Sequence, residues 1–395
     1  MTRRAPAHRL WAAVAAMCVA ESARAGALTT EPVLGLQTDF STNPALVLAG
    51  HTTNVDGAIL IDAPTTYTGN AWSLALQPSF RFTDNSGYTS LVSNYEHLGA
   101  VGEFDTERNS LKVTTLALRD SSLYQDYNFS GSVGVRQDTA LADIGWVSQL
   151  TERLTFNVDA SYSRVRYGQS TGVSTLTDYG YSSTSPALSW QATELTSLTL
   201  LAGFSLYKSL DGTTRSSDTN LEIGFVRQLT ELWNLSAKAG ASRESDQINE
   251  YFGPFLLGAL KSTANGTVFS ADLTRQGLRL ATTLSASRSL VPSGFAFLSR
   301  RDRYELQAVY PCSERWTLQG YVRYRNEQDP QFFVPTVERK YTDMGLSAAW
   351  LATEHWTLTT TVSHVREKFG PPDFRVAETA VSLSLARRFS RIDWH

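Results

Sequence analysis

The 395-residue sequence predicts an all-β chain, a transmembrane up-and-down antiparallel β-barrel of 18 strands behind a cleaved N-terminal signal peptide. Three observations carry that expectation. First, one turn phrase recurs: Gln149-Leu150-Thr151-Glu152-Arg153-Leu154, Gln191-Ala192-Thr193-Glu194-Leu195, Gln228-Leu229-Thr230-Glu231-Leu232-Trp233, Pro311-Cys312-Ser313-Glu314-Arg315-Trp316 and Leu351-Ala352-Thr353-Glu354-His355-Trp356. A degenerate copy, Leu273-Thr274-Arg275-Gln276-Gly277-Leu278, fills the gap, and the Thr/Ser positions lie 42, 37, 44, 39 and 40 residues apart. A period that holds two strands, one tight turn and one longer loop is the hairpin unit of an outer-membrane barrel. Second, strict alternation follows each turn, as where Trp316, Leu318, Gly320 and Val322 interleave with Thr317, Gln319 and Tyr321. Alternation puts one set of side chains on each face of a strand. Third, beyond the first 25 residues no stretch approaches the ~18 apolar residues of a spanning helix. A soluble sandwich or propeller also shows short alternating strands. A propeller blade, however, would put four shorter strands into each period, and the connections here alternate short and long.

At the front, Arg3, Arg4 and Arg9 precede an apolar run from Leu10 to Ala20, and Ala23-Arg24-Ala25 is a small-x-small cleavage site. Residues 1–25 therefore read as a signal peptide, too short in its apolar run to span a membrane, and residues 26–395 as the barrel. Cys18 suggests a lipid anchor, but Met17 stands before it where a small residue is expected. Residues 1–25 carry four Arg and one Glu, so their removal takes the net charge from −3 to −6. That mild acidity weighs against a nucleic-acid partner. Cys312 would then be the one remaining cysteine, which excludes an intrachain disulfide and a Cys-based metal site. No metal and no cofactor is expected.

The alternation predicts strands near 31–40, 70–82, 88–98, 110–119, 124–135, 140–150, 154–167, 178–191, 196–208, 217–229, 233–244, 263–273, 278–289, 301–311, 315–327, 340–351, 356–367 and 376–389. An even count returns the chain to the side where it began, as bacterial barrels do. The count falls to 16 if the first strand is missing or is an internal plug. In the last strand, Ala377 to Phe389, the odd positions face lipid, and the terminal aromatic resembles the signal read by the barrel assembly machinery. Six residues, Ser390–His395, trail beyond it.

The recurring Thr and Ser hydroxyls can bond the backbone two residues on, which favours a tight turn. The Glu that follows each is spaced one hairpin from the next around a rim, so these carboxylates cannot converge on one substrate. Trp190, Trp233, Trp316, Trp350 and Trp356 flank the turns and suit a girdle at the headgroup level. A sugar-stacking platform would instead need rings on the lumen face, whereas Trp316 and Trp356 share the face of Leu318 and Leu358.

Inward positions hold the functional information. With Trp72, Leu74, Leu76, Phe80 and Phe82 outward, Gln77, Ser79 and Arg81 face in. The same alternation sends Lys238, Arg279, Arg303, Arg323, Arg325 and Arg388 inward, with Asp159, Glu305, Asp343 and Glu378. On the lipid face near the midplane each such charge would cost about 2–4 kcal/mol. These charges either pair and fill the lumen or, where cations stay unpaired, set up a field for an anionic solute. Arg323 and Arg325, with no acid assigned to their own inward row, are the expected free cations.

Three connections are unusually apolar: Tyr251–Leu260, Leu290–Leu298 and Phe332–Pro335. They could constrict the pore, touch lipopolysaccharide or dock a partner, and folding inward is the expected course, since it hides the apolar area without a second molecule. An outer-membrane hydrolase is the catalytic alternative. Of the histidines in 26–395, His51, His97, His355, His364 and His395, His355 lies in a turn, His395 at the end and His364 on the lipid-side parity, which leaves His97, beside Glu96, as the candidate base. No nucleophile motif, phosphate loop or metal-ligand spacing accompanies it.

The stretch Thr38-Asp39-Phe40 with Asn43-Pro44, the strand Leu76-Gln77-Pro78 leading to Phe80 and Phe82, the Tyr-bearing segment Leu91–Tyr95 and the hairpins down to residue 389 resemble one known family. It is the outer-membrane β-barrel porin family associated with exopolysaccharide and exosortase gene clusters. The resemblance covers about residues 30–389 through loose motifs, and it transfers no catalytic or ligand residue. It implies passage of a polysaccharide or other solute across the outer membrane of a Gram-negative cell, with polysaccharide-export components as partners. The barrel reading adds outer-membrane lipid and lipopolysaccharide as surroundings. A non-conducting scaffold or receptor barrel is the alternative to a pore.

Overall fold

The computed structural model of the protein describes residues 27–44, 46, 53–85, 94–121, 136–168, 176–252, 255–294, 297–328, 338–370 and 374–394. The signal-peptide expectation, the strand expected at 124–135, His51, His395 and Phe332–Pro335 lie outside the described residues. All 21 hydrogen-bonded segments belong to one sheet, and they make 18 strands because three strands are each broken once. In chain order these are β1 (Ala27–Thr30 and Val33–Ser41), β2 (Asn54–Asp62 and Thr65–Thr68), β3 (Trp72–Asn85), β4 (Tyr95–Asp105), β5 (Asn109–Ser121) and β6 (Arg136–Gln149). Then follow β7 (Leu154–Tyr167), β8 (Tyr179–Thr193), β9 (Thr196–Ser209), β10 (Thr214–Gln228), β11 (Trp233–Phe252) and β12 (Phe255–Gln276). The last six are β13 (Ala281–Pro292), β14 (Leu298–Pro311), β15 (Trp316–Gln328), β16 (Glu338–Leu351), β17 (Trp356–Phe369) and β18 (Phe374–Arg388 and Ile392–Trp394).

Every strand pairs antiparallel with its chain neighbours, and β1 closes on β18 from Val33↔Arg388 to Ser41↔Ala380 and again at Leu28↔Trp394. Closure leaves no free edge, so every strand's backbone groups find partners within the sheet. The breaks in β1 and β2 fall at Pro32 and Pro64, which have no N–H to give to the ladder.

Tight turns and both ends of the described chain share one rim. There the recurring hydroxyls accept backbone N–H groups: Thr151 from Leu154 at 3.0 Å, Thr230 from Trp233 at 3.1 Å, Ser313 from Trp316 at 3.2 Å and Thr353 from Trp356 at 3.2 Å. Thr193 accepts from Leu195 at 3.3 Å, and Thr106 makes the same kind of turn by accepting from Asn109 at 3.0 Å. Thr106-Glu107-Arg108 is an earlier copy of the phrase that the sequence pattern had in plain view. The degenerate copy is offset, because Thr274 sits inside β12 opposite Thr283 and the turn falls at Gly277–Leu280.

From residue 154 onward the expected strands coincide with the observed ones to within a few residues at most ends, and β11 and β12 run longer. The segment 245–262, expected as a loop, extends that hairpin until Phe252 pairs with Phe255. The N-terminal third departs more. β2 is absent from the expected inventory, and the strand expected at 88–98 lies at Tyr95–Asp105. Val55, Ile59 and Ile61 of β2 do alternate with Asn54, Asp56 and Ala58, but Gly57 and the unbroken run Ala58–Ile61 disguise the period. Inserting β2 reverses the expected direction of the strands at 70–82, 88–98 and 110–119.

Candidate functional site: the barrel lumen

Along each strand one face carries large exposed apolar side chains, such as Leu36, Ile59, Leu200, Ile223, Leu306, Leu346 and Leu383. The other face is polar and half-buried or buried at most positions, and it encloses the lumen. The outward apolar band ends at the turn rim in aromatic rings. Trp316 and Trp350 stack there at 5.9 Å, and Trp146 meets Phe156 edge-on at 6.0 Å. Trp190 and Trp356 are exposed at the same rim.

Most of the charged residues expected in the lumen lie on the inward face, and most are paired. Arg81 on β3 reaches past β2 to Asp39 on β1 at 2.5 Å. Lys238 stands 3.5 Å from Glu222. Arg303 contacts Glu305, and Arg323 binds Glu305 at 3.2 Å and Asp343 at 3.6 Å while Tyr321 donates to Asp343 at 3.0 Å. Glu378 accepts from Ser41. Asp159 faces a polar hollow shared with Lys112 and Asp143. Arg388 closes the first segment of β18 at the turn rim, opposite Val33, and is exposed.

Two expectations need correction. Arg279 is not on the lumen wall, since it lies exposed in the Gly277–Leu280 turn that Gly277 N–H closes on Leu280 O. Arg323 is not a free cation, because acids from the strands on either side reach it. Nor does its row lack an acid. Glu327 shares the inward face of β15 and binds Arg301 at 2.6 Å, and Arg325 is buried with its guanidinium 4.2 Å above the Tyr341 ring.

The largest group missed in the sequence lies on β10 and β11. Asp218, Glu222, Glu244 and Asp246 are all buried, with Asp218 directly opposite Glu244. Oδ1 of Asp218, Oε1 of Glu244 and Oδ1 of Asp246 have no hydrogen-bond partner among the described residues. The signal for them was the plain alternation with outward Leu221, Ile223 and Phe225. Among the described residues, inward acids outnumber inward cations on β1–β3, β4–β7 and β10–β12, and β14–β17 reverses the balance with Arg301, Arg303, Arg323, Arg325 and Arg339. No group of three or more His, Cys, Asp or Glu among the described residues could hold a metal ion.

Residues of two connections lie inside the barrel near the loop rim. Leu298, fully buried at the start of β14, packs with Val165, Tyr179 and Tyr207 on β7, β8 and β9. The connection before it is held by Tyr207 OH donating to Ser293 O at 3.2 Å and Thr177 N–H donating to Gly294 O at 2.7 Å. This is the inward course expected for one of the three apolar connections. In the β1–β2 connection Leu46 packs on Phe369 and Val376 with a φ of 45°, a left-handed backbone that is unfavourable for a branched side chain. At the turn rim a vestibule of about 840 Å³ opens, lined by Thr155, Ser189, Gln191, Gln228 and Asn234 among others.

His97 faces inward, its Nε2 3.4 Å from Asp120, while Glu96 turns outward to Arg119 at 3.2 Å. No hydrogen bond joins His97 to a serine or threonine among the described residues.

No protein-family model matches this chain, and no curated protein sequence matches it. Among solved structures, Acinetobacter baumannii OccAB2 is 12% identical over 91% of this chain and 98% of its own, with a TM-score of 0.49. Pseudomonas aeruginosa OccK3 (OpdO) is 11% identical over 91% and 96%, with a TM-score of 0.48. Pseudomonas aeruginosa OccK2 (OpdF) in complex with glucuronate is 11% identical over 91% and 98%, with a TM-score of 0.46. At these values the similarity transfers no solute and no site residue to this chain.

Proposed function

We propose that the chain is an outer-membrane channel for small hydrophilic solutes, with the passage running through the barrel lumen. One observation carries this reading: a closed 18-stranded wall that is apolar outside and lined inside with charge. In water, the exposed band of Leu, Ile, Val and Trp would be a large unfavourable surface; in a bilayer it is the solvated one. A barrel of this strand number is wide enough for an aqueous path.

Small solutes fit better than a polymer. The polysaccharide passage implied by the family resemblance needs a bore clear of Leu46, Ser293 and Leu298, which lie inside the barrel. The excess of inward acids favours cations, because a pore's selectivity follows its unpaired lining charge. The arginine excess on β14–β17 favours a second reading, in which anions travel along that wall. Planar-bilayer recording tests both readings. Ion-conducting steps with a reversal potential on the cation side under a salt gradient are expected, and an anion-side potential selects the second reading. Absence of conductance, even after residues 290–298 are shortened, would leave a scaffold or receptor barrel.

A further inference from the structure

Six adjacent strands, β7 to β12, carry one register row across their lipid-facing side near the loop rim: Arg164, Gly180, Lys208, Arg215, Gln247 and Lys261. Its Arg and Lys side chains are all exposed, and none has an ion pair or a side-chain hydrogen bond among the described residues. Lys208 stands directly opposite Arg215, where like charges destabilise a sheet. Arg243, further down β11 on the same face, is exposed and equally without a partner among the described residues. The acids of β10 and β11 do not serve these cations, because Asp218, Glu222, Glu244 and Asp246 are buried on the lumen face. Asp211, in the turn between β9 and β10, accepts instead from the amide and the hydroxyl of Thr213 at 2.9 and 2.8 Å. The neighbouring row on β4–β7 balances itself by alternating sign: Glu96, Arg119, Asp138 and Arg166 are successive partners, with Arg119 3.1 Å from Asp138. The row on β7–β12 therefore calls for an anion from outside the chain.

Its height fits a lipid headgroup. Lys208 is 12 residues along β9 from Thr196 at the turn rim. At about 3.3 Å per residue and a tilt of about 45° this is roughly 28 Å, just beyond an apolar band of about 25 Å. Below Arg243 the outward positions of β11 are Ala241, Ala239 and Ala237. They run between Leu221 and Ile223 of β10 on one side and Phe269 of β12 on the other. Leu221 is 56% and Ile223 70% exposed, so both stand above the alanines and wall a shallow apolar trough that leads up to Arg243.

We propose that this face binds one outer-leaflet lipid with a phosphorylated sugar headgroup, its phosphates on Lys208, Arg215 and Arg243 and an acyl chain in the alanine trough. Guanidinium and ammonium groups bind phosphate through charge-assisted hydrogen bonds, and the trough adds apolar burial that a free anion cannot use. Arg243 lies about 13 Å down the strand from the level of Arg215, so the cations suit a headgroup with more than one phosphate better than a single ion. The site rests on the barrel lying in the outer membrane with its loop rim outward, but not on its conducting.

The test is retention of bisphosphorylated lipopolysaccharide by the purified full chain in detergent, alongside its dephosphorylated form and inorganic phosphate. Lys208→Glu with Arg215→Glu should weaken retention about tenfold. Ala239→Leu, which leaves every charge in place, should also weaken it by filling the trough, and it keeps the test open if the double variant does not fold. Arg366→Glu with Arg375→Glu, the same charge change on the outward face of β17 and β18, should change little. Equal retention of the dephosphorylated lipid, unchanged retention in the Lys208/Arg215 and Ala239 variants, or an equal loss in the Arg366/Arg375 variant would overturn the site. So would full displacement by millimolar phosphate, which would mark a free-anion site, or a lipid-free oligomer of the parent that the Lys208/Arg215 variant dissociates, which would assign the face to a second copy. The heat-modifiable folded band of each variant is the folding control. Bilayer conductance separates this site from the channel reading: conductance kept while lipid is lost is the expected result, and a parent chain that retains lipid without conducting would sink the channel and leave the site standing.

Discussion

The phenol of Tyr207 donates to the carbonyl of Ser293 at 3.2 Å, joining β9 to a connection 86 residues further along the chain. Both residues are fully buried, and Leu298 lies against the same tyrosine. The contact ties the β13–β14 connection to the β7–β9 wall across the front of β10–β12. A single buried hydrogen bond contributes about 1 kcal/mol, enough to bias a loop that stands in the bore. Tyr207→Phe, which keeps the ring and removes the donor, should raise the frequency of high-conductance openings in single-channel records. Leu298→Ala should raise it further by removing the packing. Records indistinguishable from the parent in both variants would remove this segment as a constriction.

The turn hydroxyls should act on stability and not on any reaction. Thr353 accepts from the amides of His355 and Trp356, both near 3.2–3.3 Å, while Glu354 beside it is exposed. Thr353→Val removes the acceptor at nearly constant volume and should cost about 0.5–1 kcal/mol, read as a lower urea midpoint for the refolded barrel. Glu354→Ala should leave that midpoint within error. A larger effect at Glu354 than at Thr353 would reverse the assignment.

The fold was legible because the two periods that define it, 2 along each strand and about 40 between hairpins, are properties of the local chain. What the alternation gave less clearly was β2, where Gly57 and the run Ala58–Ile61 blur the inside and outside faces. The lumen was half legible. Alternation puts Arg323 inward, but its partners Glu305 and Asp343 come from β14 and β16, and cross-strand register is not written in one strand. The acids of β10 and β11 were open to the same parity argument, since Asp218 and Glu222 interleave with Leu221 and Ile223. The inward path of Leu46 and the Tyr207–Ser293 contact were beyond reach, because they join residues far apart in sequence and follow no periodic rule.

The acid wall should set ionic preference. Asp218, Glu244 and Asp246 are buried side by side with unpartnered oxygens, whereas Arg303 and Arg323 are already bound to acids. In recordings at pH 9, Asp218→Asn, Glu244→Gln and Asp246→Asn together should shift the reversal potential toward the anion side. Arg323→Glu should shift it less and in the opposite direction, because it changes the wall by two charges against three and leaves Glu305 still paired with Arg303. A smaller shift from the triple variant than from the single one would move the selectivity element to the β14–β17 wall.

Cys312 offers a direct reading of orientation. It is the free cysteine of the described chain, exposed in the turn between β14 and β15, and it shares a rim with both described ends. A bulky, membrane-impermeant maleimide added to intact cells should leave Cys312 unlabelled and should label Asp211→Cys in the short connection between β9 and β10 on the opposite rim. Lysed cells should label both. Labelling of Cys312 in intact cells would invert the barrel.

The alternation itself can be tested with one substitution moved by one residue. Leu346 is 60% exposed on the outward face of β16, midway between Trp350 and Lys340, and Ser347 beside it faces the lumen. Ser347 is in register with Thr361, whose hydroxyl donates to it at 3.2 Å. An arginine at Leu346 would place its charge near the middle of the hydrocarbon and should cost about 2–4 kcal/mol. At Ser347 the same arginine would meet a polar lumen and lose only a weak hydroxyl contact, at about 1 kcal/mol or less. Leu346→Arg should therefore sharply reduce the heat-modifiable folded species in outer-membrane fractions, and Ser347→Arg should leave it nearly intact. Equal losses would mean that β16 does not present alternate faces to lipid and water. The membrane reading of the barrel would then fail on that wall.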